Sequence, residues 1–110
     1  MSDIDLVRAS MAAYTSQDRD AAERIFAPDF RFTSPQDDRI DRIEWFEKCF
    51  PTADRFVAHD LLEIVSTPTG VLSQYEYELQ NGERYRNTEL AVVRDERIVE
   101  VQVFFGGRIG

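Results

Sequence analysis

The dipeptide Asn81-Gly82 sits between two runs rich in β-branched and aromatic residues, Val71 to Gln80 and Arg84 to Val93. Both residues tolerate positive φ, so Asn-Gly at this place predicts a two-residue hairpin loop between antiparallel strands. Two more runs extend the sheet. Arg55 to Val65 carries β-branched and aromatic residues and ends at the turn-rich stretch 66–70, Ser-Thr-Pro-Thr-Gly. Arg97 to Phe105 alternates, with Val99, Val101, Val103 and Phe105 on one side and Glu100 and Gln102 on the other. The acidic pair Asp95-Glu96 must turn the chain before that last strand without the help of a glycine.

The first half follows the helical period. Ile4, Val7, Met11 and Tyr14 fall on one helical face, and Ser2 or Asp3 can cap it. A second helix is expected over residues 18–27, with Asp18 as cap, Ala21, Ala22, Ile25 and Phe26 as its apolar side and Pro28 as its stop. Phe30 to Ser34 reads as a short strand. Asp41-Arg42-Ile43-Glu44 has the acid-x-x-Glu form of a capping box, and the helix after it, with Ile43, Phe46 and Phe50 flanked by Trp45 and Cys49, should end before Pro51. Helices placed ahead of four long strands predict an α+β fold in which three N-terminal helices cover one face of the sheet.

The 110 residues suit a single domain spanning 1–110. With 43% hydrophobic residues the chain can build a core, and its formal charge of −8 argues against nucleic acid and anionic membranes as partners. No apolar run approaches the roughly 20 residues of a membrane span, and the N-terminus lacks the apolar centre of a signal peptide. The lone cysteine, Cys49, allows no internal disulfide and reads as a small buried hydrophobe; a cytoplasmic location is the expectation.

The stretches DRDAAERIFAPDFRFTSP, DRIEWFEKC and RIVEVQVFFG, in this order and spacing, resemble the nuclear transport factor 2-like superfamily, in particular its SnoaL-like and ketosteroid isomerase-related members. The resemblance covers nearly the whole chain. It implies a cone-shaped roll, a curved and mostly antiparallel sheet wrapped around a long helix, with a pocket at the open end and a homodimer through the outer sheet face. It implies no cofactor. Relatives of the steroid isomerase type place an aspartate base just before a proline; this chain has Ser34 before Pro35, and a serine hydroxyl is too weak a base to deprotonate a carbon acid unaided. The position matching their tyrosine donor is Ser10, with Tyr14 one turn later. The position matching their protonated acid is Glu89.

A two-residue loop at Asn81-Gly82 would pair Gln80 with Glu83, Glu76 with Asn87 and Gln74 with Glu89. Gln74, Glu76, Asn87 and Glu89 would then share the inner face, where a polar group must be hydrogen-bonded or used. Tyr75, Tyr77 and Arg86 would face out, with Phe104, as an interface. A register shift or a bulge would reverse this and leave Glu76 and Glu89 solvated. The expected ligand-binding residues are accordingly Ser34, Trp45, Gln74, Glu76, Asn87, Val101 and Val103.

The candidates for catalysis are Glu89, Asp37, Asp38 and His59. Asp37 and Asp38 follow Ser34 in FTSPQDDRIDR and form either a solvated turn or a base at the mouth of the cone, while Asp41 reads as a helix cap. His59 is the only histidine, and strand parity groups it with Val57 and Leu61. No metal-ligand spacing is present. Two functions fit: an enzyme that moves protons on a small, largely apolar molecule without a cofactor, as an isomerase or cyclase would, or a non-catalytic ligand-binding or homodimeric interaction module.

Overall fold

The computed structural model describes residues 1–110. Helix α1 runs Asp3–Ser16. The Ser2 hydroxyl accepts from the Asp5 amide and the Asp5 carboxylate accepts from the Ser2 amide, a reciprocal cap that satisfies two otherwise orphaned donors. Val7 is fully buried, and Ile4, Met11 and Tyr14 pack against the core. Helix α2, Arg19–Ile25, starts at Asp18, whose carboxylate accepts from the Ala21 amide. It stops three residues before Pro28 because the chain already turns extended at Phe26, and strand β1 runs Phe26–Ser34, straight through the proline.

The acidic stretch is strand and not loop. Pro35-Gln36 turns β1 back into strand β2, Asp37–Asp41, with Ser34 paired to Asp37. Asp41 then caps helix α3, Arg42–Lys48, by accepting from the Glu44 amide. A 3-10 turn over Phe50–Arg55 holds Pro51. Ile43 departs from its expected place: it is 70% exposed, while Trp45, Phe46 and Phe50 fill the interior.

Strands β3 (Phe56–Ser66), β4 (Val71–Leu79), β5 (Arg84–Arg94) and β6 (Arg97–Ile109) complete one sheet of order β2-β1-β6-β5-β4-β3. All neighbours are antiparallel except β1 and β6. Three helices on one mostly antiparallel six-stranded sheet make the fold α+β. Asp95 and Glu96 both take positive φ, 53° and 62°, which is the conformation a two-residue hairpin requires even without glycine.

The register of the central hairpin differs by one residue from that expected. Leu79 pairs across the loop with Glu83, so the loop has three residues, Gln80-Asn81-Gly82, with Gly82 at φ 88°. Gln80 is held in the loop because its amide donates to the Arg55 carbonyl at 3.1 Å and its side chain to that of Asp54 at 3.2 Å. A three-residue loop that ends in a left-handed glycine is the next commonest hairpin solution. Glu76 therefore pairs with Arg86, and Tyr75 with Asn87.

Two further corrections follow from bulges. The β5–β6 ladder slips at Val99, so Ile98, Val101 and Val103 face in, and Val99 drops out of that row. The β3–β4 ladder slips at Val57 and Leu62, so His59 shares its face with Phe56 and Leu61, while Val57 is exposed. The inner face then reads in rows from one end of the sheet to the other: His59-Tyr77-Tyr85, Leu61-Tyr75-Asn87-Phe105, Ile64-Ser73-Glu89-Val103 and Val71-Ala91-Val101. The hydrophobic core, around Val7, Ala22, Phe26, Phe30, Phe46, Val71, Ala91 and Ile98, closes the far end.

Candidate functional site

At the opposite end the curved sheet, α1, α3 and the 3-10 turn leave a cavity of about 520 Å³. That volume suits a small organic ligand. The first wall is apolar, with Met11 of α1, Phe26, Phe30 and Phe32 of β1, and Trp45 of α3. The second wall is the inner face of β3–β5 and is aromatic with polar tips. The rings of Phe56 and Tyr77, Tyr77 and Tyr85, and His59 and Tyr75 stack with centroids 4.7, 5.5 and 4.8 Å apart. Stacks of this kind stiffen the wall.

Glu89 is the deepest acid of the cavity. It stands in the row with Ser73 and Val103, next below Tyr75 and Asn87. Its remaining surface opens on the cavity, so the carboxylate has little bulk water around it. Burial raises its pKa from 4.5 to about 7, and the nearby Tyr75 hydroxyl pulls the other way. Burial disfavours the charged form, and the donor offsets only part of that. Asn87 is itself buried and stands opposite Tyr75 in the ladder. Burial also holds the Tyr75 hydroxyl well above its ordinary range, so it stays a neutral donor.

Tyr14 lines the cavity but its proton is committed. The Thr52 hydroxyl donates to the Cys49 carbonyl at 2.6 Å, so the 2.6 Å bond between Tyr14 and Thr52 must be donated by Tyr14. Burial pushes the Tyr14 phenol up to about 12. Ser10 likewise spends its proton on the Val7 carbonyl at 2.7 Å. Cys49 is pushed up to about 12, by burial first and by Asp37 second, and so remains a thiol and a poor nucleophile. His59 is lowered by burial and is neutral at pH 7.

Of the expected site residues, Glu89, Asp37, His59, Ser34, Trp45, Asn87, Val101 and Val103 line this cavity. Gln74, Glu76 and Asp38 do not. The three-residue loop turns Gln74 and Glu76 to the outer face, where Glu76 binds Arg84 and Arg86 at 3.3 and 2.6 Å. Asp38 is exposed on β2 because its strand neighbour Asp37 takes the inward place. Asp37 accepts from the Ser34 hydroxyl at 3.1 Å, and Ser34 accepts from the Gln36 amide, which fixes the turn at the mouth. The same register brings Tyr75 and Tyr77, expected on the outer face, into the cavity together with Tyr85. The signal that could have found them is alternation within β4 itself, where Val71, Ser73, Tyr75 and Tyr77 form the less charged row. No three His, Cys, Asp or Glu side chains are grouped to hold a metal ion, and no helix is long and apolar enough to cross a membrane.

Among curated proteins no sequence matches. Solved structures do share the fold. A protein from Kribbella flavida DSM 17836 is similar at TM-score 0.82 and 26% identity, over 93% of this chain and 84% of that one. A proposed ketosteroid isomerase from the same organism aligns at TM-score 0.79 and 15% identity, over 98% and 80% of the two chains. IdmH, a proposed polyketide cyclase from Streptomyces antibioticus, aligns at TM-score 0.75 and 22% identity, over 96% and 93%. A sequence model of the SnoaL-like domain matches residues 7–101, and the chain therefore belongs to the SnoaL-like family, within the nuclear transport factor 2-like fold.

Proposed function

We propose that the cavity binds a small, largely apolar molecule and that Glu89 moves a proton on it without a cofactor, in the manner of an isomerase or cyclase. The observation that carries this reading is a carboxyl with a pKa of about 7 at the inner end of an aromatic cavity. At neutral pH such a group is present both as acid and as base, which is the condition for efficient proton transfer. Tyr75 and Asn87 stand one row away and offer O–H and N–H donors for the charge that develops on a carbonyl oxygen as an adjacent carbon loses its proton. His59 is neutral and stacked on Tyr75, which suits a wall residue better than a base. Asp37 and Ser34 belong to the mouth, where they position the entering molecule.

The test is deuterium exchange on a bicyclic ketone, 2-tetralone, in D₂O. The wild-type protein should catalyse exchange at the carbon beside the carbonyl, at a rate that rises with pH through about 7 as Glu89 ionises. Glu89→Gln should bind the ketone and leave exchange at the background rate. Exchange that survives in Glu89→Gln would remove Glu89 from the mechanism. Binding without exchange in the wild type would favour the second reading, a ligand-binding module.

That second reading has its own observation. The outer face of the sheet exposes Leu72 and, at 57%, Phe104, on either side of Gln74 and Thr88. With Val65 and Leu90 beside Leu72, these side chains make an apolar patch that suits a contact between two copies of the chain. Sedimentation of the wild type and of Phe104→Glu tests this: a dimer that dissociates in the variant supports it, and a monomeric wild type removes it.

A further inference from the structure

The cavity is uneven in charge along its length, and the unevenness lies in one side chain. Two cations line it, Lys48 and Arg55. Lys48 is held by Glu44 at 2.5 Å. Arg55 has no acid within salt-bridge reach, and its guanidinium donates no hydrogen bond within the chain, although the protein carries 21 acids against 13 bases. Arg39, Arg84, Arg86, Arg94 and Arg108 pair with Glu100, Glu78, Glu76, Asp29 and Glu83, whereas Arg8, Arg24 and Arg97 pair with no acid, so what sets Arg55 apart is that it is unpaired and lines the cavity.

The backbone of Arg55 is fixed while its head is not. Its carbonyl accepts from the Gln80 amide, which ties the residue to the β4–β5 loop at the open end. Its side chain lines the cavity together with Phe56 and Tyr77. From the Tyr77 row to the Ser73–Glu89 row is four residues along β4, about 13 Å of strand. The mouth therefore holds Asp37, already engaged with the Ser34 hydroxyl, and, at Arg55, five unengaged N–H donors and a positive charge; the walls between are aromatic, and the inner end holds an acid that is half neutral near pH 7.

We propose that the molecule this cavity takes is an amphiphilic organic carboxylate, with its charged group held by Arg55 at the mouth and its apolar body directed toward Glu89. This rests on the reading of the cavity as a ligand site and adds the ligand's polarity and direction. A planar guanidinium matches a carboxylate in a bidentate fork, a geometry that a lysine ammonium does not offer. The net charge of −8 repels anions from the rest of the surface, so any preference for an anion must come from a local group.

The experiment uses 1-pyrenebutyrate and its neutral primary amide, read by energy transfer from Trp45, the only tryptophan and a cavity residue. The wild type should bind the carboxylate about five- to tenfold more tightly than the amide, and less so at high salt. Arg55→Gln should lose that preference and keep the amide affinity, which also shows that the variant is folded. Arg97→Gln, an exposed arginine outside the cavity, should behave as the wild type. Equal binding of the two probes by the wild type, or a preference that persists in Arg55→Gln, overturns the carboxylate proposal and leaves the cavity reading in place. Failure of both probes to receive energy from Trp45 in the wild type overturns both.

Discussion

The two faces of the β4–β5 ribbon carry similar residues and treat them in opposite ways. On the outer face Glu76 meets Arg86 and Arg84, and Arg84 also reaches Glu78 and Asp60. The Arg86 hydrogen bond, then that of Arg84, holds the Glu76 carboxyl below its ordinary value. On the inner face Glu89 has no cation beside it and is surrounded by Tyr75, Ser73 and Val103, and burial drives its carboxyl up to about 7. The pleat alone separates these environments, since successive residues of a strand point to opposite sides. One face stores its acids as solvated ion pairs, and the other keeps one acid uncompensated, where its proton can be used.

The sharpest way to break this contrast is to place a new acid on each face at adjacent positions. Ser73→Asp puts a carboxylate at a 2%-exposed site beside Glu89, with no cation to receive it. It should lower stability by about 3–5 kcal/mol in urea unfolding at pH 8. Gln74→Asp, one residue on and facing out, should change stability by less than about 0.5 kcal/mol. Equal effects would mean that the two faces do not differ as described.

Glu89→Gln is expected next in size. A carboxyl raised on folding binds more protons folded than unfolded between 4.5 and about 7, so its contribution to stability falls as pH rises through that interval. The wild type should lose about 3 kcal/mol from this group between pH 4.5 and pH 7.5. Glu89→Gln should lack that loss and be the more stable protein at pH 8. His59, lowered on folding, has the opposite sign and weakens the fold as pH falls below 6.5, so His59→Gln should improve stability only on the acid side. Urea unfolding across pH separates the two contributions, and a Glu89→Gln curve parallel to the wild type would contradict the raised pKa.

The fold was legible because its signals are local. The Ser2 and Asp18 caps, the alternation in β4–β6 and the Asp41 cap each act within a few residues, and together they specify the order of elements. The inward place of Glu89 was legible only through family resemblance. The ribbon's register was not legible, because Asn81-Gly82 is equally at home in a two-residue loop and at the end of a three-residue loop. What decides between them is Gln80, whose two bonds to residues 54 and 55 cross from another element and leave no trace in the local pattern. That single residue reassigns Gln74 and Glu76 to the outside and brings Tyr75 and Tyr77 into the cavity. The bulges at Val57, Leu62 and Val99 were hidden for the same reason, since each is a mismatch between two strands and not a property of either.

A smaller effect is expected at Glu76. In Glu76→Gln the outer network loses its central acid while Arg84 keeps Glu78 and Asp60. Exposed pairs contribute little, so thermal unfolding should shift slightly and the shift should vanish in high salt. The Glu89 titration, followed by carbon-detected NMR, should stay where it was. A displaced Glu89 titration in Glu76→Gln would show that the faces are coupled through the sheet and are not independent.

Deletion of Gln80 should have the least effect on the contrast, and it tests the register directly. Leu79 and Glu83 already form the pair that flanks the loop, with the Leu79 amide donating to the Glu83 carbonyl at 2.9 Å. Removing Gln80 leaves Asn81-Gly82 as a two-residue loop on the same pair, the conformation that dipeptide favours. The strands therefore need not slip: Tyr75 should still oppose Asn87, and Glu89 should still titrate near 7. What the variant loses is the tether from Gln80 to Asp54 and Arg55, so the change should be confined to the mouth, as faster amide exchange around residues 54–56. Were the deletion to lower the Glu89 titration to the ordinary carboxylate range, the loop length itself, and not the pairing of Leu79 with Glu83, would be what sets the two faces apart.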